Sequence, residues 1–238
     1  MRLKSIRNPQ SGPRVLVWGH SHGGNALALL TNLRAADGET LERFFAAACS
    51  YYCWPLWERP DVPVWQHALE TLREAERPIE KLELDIVTFG TPIRYGWDTA
   101  GCSHLLHIVN HRPLEDRPPY LAKWPPRIEQ LLTAEDGDYV NQIGIAGTNF
   151  PPTLLQVRTL LAEFRLNRLL QPGVRGRDLL DRLRIGARVP EDGTTLLVNY
   201  GPGEGAIVQH ALGHAVYTRE KWLLFHAEEV ARRLYGAE

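Results

Sequence analysis

The chain is predicted to be an α/β domain, a mainly parallel sheet flanked by helices, and three observations carry that expectation. Apolar, β-branched runs at 14–18, 84–89, 105–110 and 194–200 are each stopped by Gly or Pro, the pattern of strands buried on both faces. Stretches of strong helix formers alternate with those runs, as a parallel sheet with crossover helices requires. At 238 residues, 44% hydrophobic and 23% charged, the chain fits one globular domain and excludes disordered, collagen-like and coiled-coil alternatives.

In order, residues 1–13 are polar and rich in turn formers, a lead-in segment, and 14–238 form the single domain. Residues 14–18 (RVLVW) are the first strand, ending at Gly19, and 25–33 (NALALLTNL), apolar all round, read as a buried helix. Two further helices are expected over 40–52 and 63–77. LDIVTF (84–89) is the second strand and LLHIVN (105–110) the third, stopped by Pro113. YVNQIGI (139–145) is a weaker fourth strand. Residues 153–185 carry two amphipathic stretches, either a helical cap or a crossover insertion. TTLLVNY (194–200) is the fifth strand, and the last helix starts after Thr218, its expected N-cap, and ends near Gly236.

Charge and cysteine usage bound the function. A net charge of −1 lacks the basic footprint of a general nucleic-acid binder. The exception is the acid-free start, with Arg2, Lys4, Arg7 and Arg14. No window approaches the length of apolar residues that spans a membrane, and no apolar stretch follows the basic start as in a secretory signal. Three cysteines (Cys49, Cys53, Cys102) are an odd count, which points to a reducing compartment and hence the cytoplasm.

Gly19-His20-Ser21-His22-Gly23-Gly24 is the most informative stretch. It matches G-x-S-x-G with a buried strand before it and an apolar helix after it, the context in which a serine is forced onto a strand-to-helix turn. Small neighbours at Gly19 and Gly23 let such a turn pass close to the sheet. The turn lifts the Ser21 hydroxyl to the strand end. The backbone N–H of His22 then lies at the helix N-terminus, where it stabilises an oxyanion. A phosphate cradle is the competing reading, but no G-x-G-x-x-G is present.

The stretch 15–33 (VLVWGHSHGGNALALLTNL) resembles the nucleophile elbow of α/β-hydrolases of the lipase/esterase kind. Residues 84–96 (LDIVTFGTPIRYG) are similar to the next strand of those enzymes, and 212–234 (LGHAVYTREKWLLFHAEEVARRL) to their terminal histidine loop and last helix. The family order, serine first and histidine last, is kept. The resemblance implies an esterase-type serine hydrolase with Ser21 as nucleophile, and a base in the loop past the last strand. His214 fits that place, with His210 the runner-up and His226 a packing or surface residue.

For the acid, functional groups gather at the carboxyl ends of parallel strands. That sets aside Asp192, which precedes the fifth strand, and selects Glu204, in the loop after it, as the triad acid. The spacing from Glu204 to His214 resembles that of cutinase-type hydrolases. Asp116, beside Glu115 after the third strand, is the second candidate.

Other constellations carry less. His104, His107 and His111 suggest a metal, but on a strand His104 and His107 point to opposite faces, so neither metal nor cofactor is expected. Cys49 and Cys53, without a second pair, read as buried thiols. Tyr51, Tyr52, Trp54, Trp57 and Trp65 form either an aromatic cap over an acyl pocket or a loop packed on the sheet.

In the family the elbow strand follows several earlier strands, whereas only 13 residues precede it in this chain. The first strand is therefore expected to lie at an exposed apolar edge. An upstream extension of the reading frame, a rearranged strand or an oligomer covering it, or a degenerate non-catalytic relative are the three explanations, the first being preferred. The leading expectation is cleavage of small carboxylic esters, lipid-like ones included, by Ser21, His214 and Glu204. The alternative is a catalytically incompetent hydrolase-like domain that binds a small molecule or a protein.

Overall fold

The computed structural model describes residues 13–51, 62–73, 82–91, 97–112, 127–141 and 194–236. Four strands, β1 (Arg14–His20), β2 (Glu83–Phe89), β3 (His104–Asn110) and β4 (Thr194–Val198), form one sheet in the order β1-β2-β3-β4. Every neighbouring pair is parallel. The helices are α1 (His22–Ala35), α2 (Gly38–Tyr51), α3 (Val62–Arg73), α4 (Ile128–Thr133), a single turn α5 (Ile207–His210) and α6 (Leu223–Tyr235). The expected parallel α/β architecture is present.

Alternation along the strands sorts the core into two layers. Leu84 and Ile86 of β2 face α1 and pack with Ala28, Trp97 and Leu105. Val87 and Phe89 belong to the opposite layer, with Leu106, Ile108, Val198, Tyr200, Tyr217 and Val230 of α6. Both faces of β2 and β3 are thus covered, which is why their sequences read as mainly apolar runs, with Asp85, Thr88 and His107 as buried polar exceptions. A third cluster joins α1 to α2 and α3 through Leu33, Leu41, Phe44, Phe45 and Leu72. Trp65 packs edge-on against Phe44 and Phe45, with ring centroids 6.0 Å apart in each pair.

Among the described residues β1 pairs only with β2. Its Val15, Leu16 and Trp18 remain 40%, 39% and 41% exposed, so the expectation of a strand buried on both faces is corrected for β1: paired on one side only among the described residues, it lies at an apolar edge. At the other end of the strands, a fully buried Asp85 carboxylate accepts from His104 Nδ1 and Tyr235 Oη, both at 2.7 Å, with Arg14 Nε at 3.5 Å. This cluster ties the end of α6 to β1, β2 and β3. His107 lies on the opposite side, its Nδ1 2.6 Å from Thr88 Oγ1, so the two histidines serve separate polar contacts.

Two expectations about elements are corrected. Residues 139–141 start a helical turn and not a strand. Asp138 Oδ1 accepts from the Asn141 backbone N–H at 2.9 Å, a cap that prefers helix to strand. Residues 142–145 lie outside the described residues, as do 153–185 and most of the aromatic cluster at 51–57. Thr218 does not cap the last helix. It closes a 3-10 turn (Ala215–Thr218), its hydroxyl donating to Ala215 O at 3.2 Å, and α6 begins only at Leu223.

His226 of α6 is a packing residue, buried against Phe89 and Tyr200, with Nε2 2.7 Å from the Tyr200 hydroxyl. Burial lowers its pKa to about 4. An unfolded imidazole titrates near 6.5, so between those values the unfolded chain binds a proton that the folded chain refuses. Stability therefore falls as pH drops from 6.5 to 4, by about 3 kcal/mol from this residue. Urea midpoints at pH 7 and pH 4.5 test this. His226→Phe is expected to flatten the acid-side loss, and an unchanged pH slope contradicts the assignment.

Candidate active site

Ser21 joins β1 to α1 in a conformation that few side-chain-bearing residues adopt, φ 55° and ψ −129°. Backbone held in such a region stores strain of order 1–3 kcal/mol and persists only where its surroundings impose it. Here the Ser21 N–H donates to Phe89 O at 3.0 Å, pinning the turn to the end of β2. The close approach of helix and sheet falls at Gly19 and Gly24 and not at Gly23. A Cβ on Gly19 would lie 2.8 Å from Leu27, one on Gly24 would overlap the Thr91 side chain, and one on Gly23 meets nothing. His22 is the first residue of α1, whose first turn carries no acidic side chain and whose N-cap makes no side-chain hydrogen bond. The positive end of the helix dipole is left uncancelled there.

His214 follows the 3-10 turn Ala211–Gly213 after α5 and is 8% exposed. Its Nδ1 lies 2.8 Å from Oδ2 of Asp138, a carboxylate with no exposed surface. Besides His214, Asp138 accepts from the Asn141 N–H through Oδ1, at 2.9 Å, and from the Tyr217 hydroxyl through Oδ2, at 2.8 Å. Gly90 makes room for this cluster. It has φ +56°, and a Cβ there would collide with Asp138 Oδ2 and the Tyr217 ring. Asn110, at the end of β3, holds the other side: its Nδ2 donates to Gly213 O at 3.0 Å and its backbone N–H to the Tyr217 hydroxyl at 2.7 Å.

The other imidazole nitrogen, His214 Nε2, is buried and makes no hydrogen bond among the described residues, Ser21 Oγ included. The His20 ring, immediately before Ser21, stacks on the His214 ring with centroids 4.7 Å apart, and its Nε2 lies 3.4 Å from His214 O. Burial and the neighbouring His214 both depress the His20 pKa. A neutral His20 suits the stack, since a second positive charge would oppose protonation of His214. The structure thus joins His214 to Asp138 at the carboxyl ends of the strands and stacks His20, the residue before Ser21, on the His214 ring; among the described residues no hydrogen bond links Ser21 to His214. A cavity of about 270 Å³ next to His20 is lined mainly by apolar groups, Trp18, Phe89 and Leu223, with His20, Tyr217 and His226; Ser21, His214 and Asp138 do not line it.

Glu204 is not beside the imidazole. Its carboxylate pairs with Arg219 at 2.9 Å and Lys221 at 3.3 Å, 64% exposed. Those two cations hold its pKa below the usual carboxylate range, Lys221 first. The glycine-rich loop turns Glu204 to the surface, where Arg219 and Lys221 satisfy it. The acid that meets His214 is Asp138. Asp116 lies outside the described residues. His210 is buried, its Nδ1 accepting from the Gly213 N–H at 3.3 Å, so it braces the turn that carries His214.

Asp138 was legible only in hindsight. It sits in the β3–β4 connection that also holds Asp116, and Asp is a favoured helix N-cap residue. Among the described residues no helix is long and apolar enough to cross a membrane, and no group of three His, Cys, Asp or Glu is placed to hold a metal. No family model, curated protein or solved structure matches the chain.

Proposed function

We propose that the protein is a serine hydrolase of small carboxylic esters, of the α/β-hydrolase kind, acting through Ser21, His214 and Asp138. The observation that carries the reading is the hydrogen bond from His214 to a buried carboxylate, with the His214 ring stacked on the residue that precedes a serine held in strained backbone.

The chemistry follows from the atoms. Asp138, an acceptor at Oδ2, fixes the proton of neutral His214 on Nδ1 and leaves Nε2 with its lone pair. Nε2 takes the Ser21 proton as Oγ bonds to the ester carbonyl carbon. The tetrahedral oxyanion is stabilised by the His22 N–H at the start of α1. The imidazolium returns the proton to the departing alkoxide, leaving an acyl-serine and an alcohol. Water then gives its proton to Nε2 and attacks the acyl carbon, and Ser21 Oγ leaves with that proton, releasing the acid. Nε2 makes no hydrogen bond to Ser21 Oγ or to any other group among the described residues; catalytic contacts of this type tighten when substrate enters. The apolar cavity beside His20 favours an ester with a hydrocarbon acyl or alcohol group.

A non-catalytic binding role is the second reading, favoured by two features of the described residues: His214 Nε2 makes no hydrogen bond and β1 pairs on one side only. Stopped-flow mixing with a p-nitrophenyl ester separates the two. An acyl-enzyme gives a nitrophenol burst approaching one equivalent of protein before steady turnover. Folded protein with neither burst nor turnover across short and medium acyl chains supports binding alone.

A further inference from the structure

We propose that Tyr217 is a positioning residue for the Asp138–His214 pair, its phenol orienting the carboxylate and setting how much negative charge the imidazole meets. The inference rests on the hydrolase reading above, but has a readout independent of turnover.

Donor directions are fixed by the neighbours. The Asn110 backbone N–H can only donate, and it reaches the Tyr217 oxygen at 2.7 Å. The single phenol hydrogen is therefore directed to Asp138 Oδ2, at 2.8 Å. The same Oδ2 receives Nδ1–H of His214, also at 2.8 Å. Two donors thus share one carboxylate oxygen, and the bond from Tyr217 withdraws charge that His214 would otherwise feel in full.

Placement also favours a positioning role. Tyr217 is 3% exposed, three residues after His214, with ring centroids 6.0 Å from His214 and 5.7 Å from His20. The bond from Asn110 ties it to the end of β3, so the acid is braced from the sheet and from the histidine's own turn. Among the described residues, the titratable groups facing this cluster are His20 of β1, Asp138, His214 and Tyr200, whose ring centroid is 5.7 Å from that of Tyr217. Burial and the Asp138 charge raise the phenol pKa, so it stays a donor across the working range.

The test is the NMR titration of the His214 ring in the unaltered protein and in Tyr217→Phe, read with the pH dependence of kcat/KM for a p-nitrophenyl ester. Removing the phenol returns the full carboxylate charge to the imidazole, so the His214 titration and the acid limb of the profile are expected to move to higher pH together. The freed carboxylate is held less firmly, and kcat is expected to fall about tenfold with KM nearly unchanged. Site-specific 3,5-difluorotyrosine at 217, which keeps the ring and strengthens the donor, is expected to move the titration the opposite way, and it serves where Tyr217→Phe does not fold. Shifts of opposite sign support the proposal, even in protein without turnover, where only the hydrolase reading fails. Turnover with a His214 titration that neither substitution moves overturns it and leaves the hydrolase reading standing.

Discussion

Ser21→Ala is expected to lower ester turnover by roughly 10⁴- to 10⁶-fold, the scale of losing a serine nucleophile. The reason is local. Oγ is the hydroxyl of the β1–α1 turn that forms the acyl bond in this reading, and alanine removes it. The fold should survive, because Ser21 contributes a backbone hydrogen bond to Phe89 that alanine keeps. Backbone strain supplies a second, separable reading of the same residue. At φ 55° alanine retains the strain, whereas glycine relieves it. Ser21→Gly should therefore raise stability by about 1 kcal/mol over Ser21→Ala while remaining equally inactive. A glycine variant no more stable than the alanine variant would show that the turn is not strained.

Asp138→Asn is expected to lower kcat about 10⁴-fold with little change in overall structure. Its Oδ1 must still accept from the Asn141 N–H, so the new amide nitrogen occupies the Oδ2 position and faces His214 Nδ1. An amide N–H can only donate there. The imidazole is driven to the tautomer with its proton on Nε2, and that nitrogen can no longer take the proton from Ser21. The phenol of Tyr217 loses its acceptor at the same point, which adds a stability cost of about 1–3 kcal/mol for a buried donor left unpaired. Glu204→Gln is the comparison. Its carboxylate is exposed and held by Arg219 and Lys221, so kcat should stay within about twofold. Steady-state kinetics of the two variants side by side decide which acid serves His214, and a larger loss in Glu204→Gln reverses the assignment.

What the sequence made legible follows from how locally each feature is encoded. The strands at 84–89 and 105–110 could be read because both faces are buried, so period and composition agree. The Ser21 turn could be read because its strand, glycines and helix are contiguous. The acid could not, because Asp138 and His214 are 76 residues apart and meet only through the β3–β4 connection, which no periodicity describes. Glu204 fitted the rule of strand ends but is satisfied by two cations that the rule does not see. The helical turn at 139–141, where a strand is expected, has a related cause. Val140 with Ile143 and Ile145 looks like a strand, while the Asp138 side chain supplies a cap that turns the backbone into helix from Tyr139. Gly24 replaced Gly23 as the position of close approach because the contact is with Thr91, on another element.

The most direct test of a reactive Ser21 is active-site titration with a fluorophosphonate followed by intact-mass measurement. One phosphonyl adduct per chain is expected on the folded protein, mapped to the peptide holding Ser21, absent in Ser21→Ala and slowed by several orders of magnitude in Asp138→Asn. Folded protein that takes up no adduct, or takes it up equally after Ser21→Ala, contradicts the assignment of Ser21 as the nucleophile.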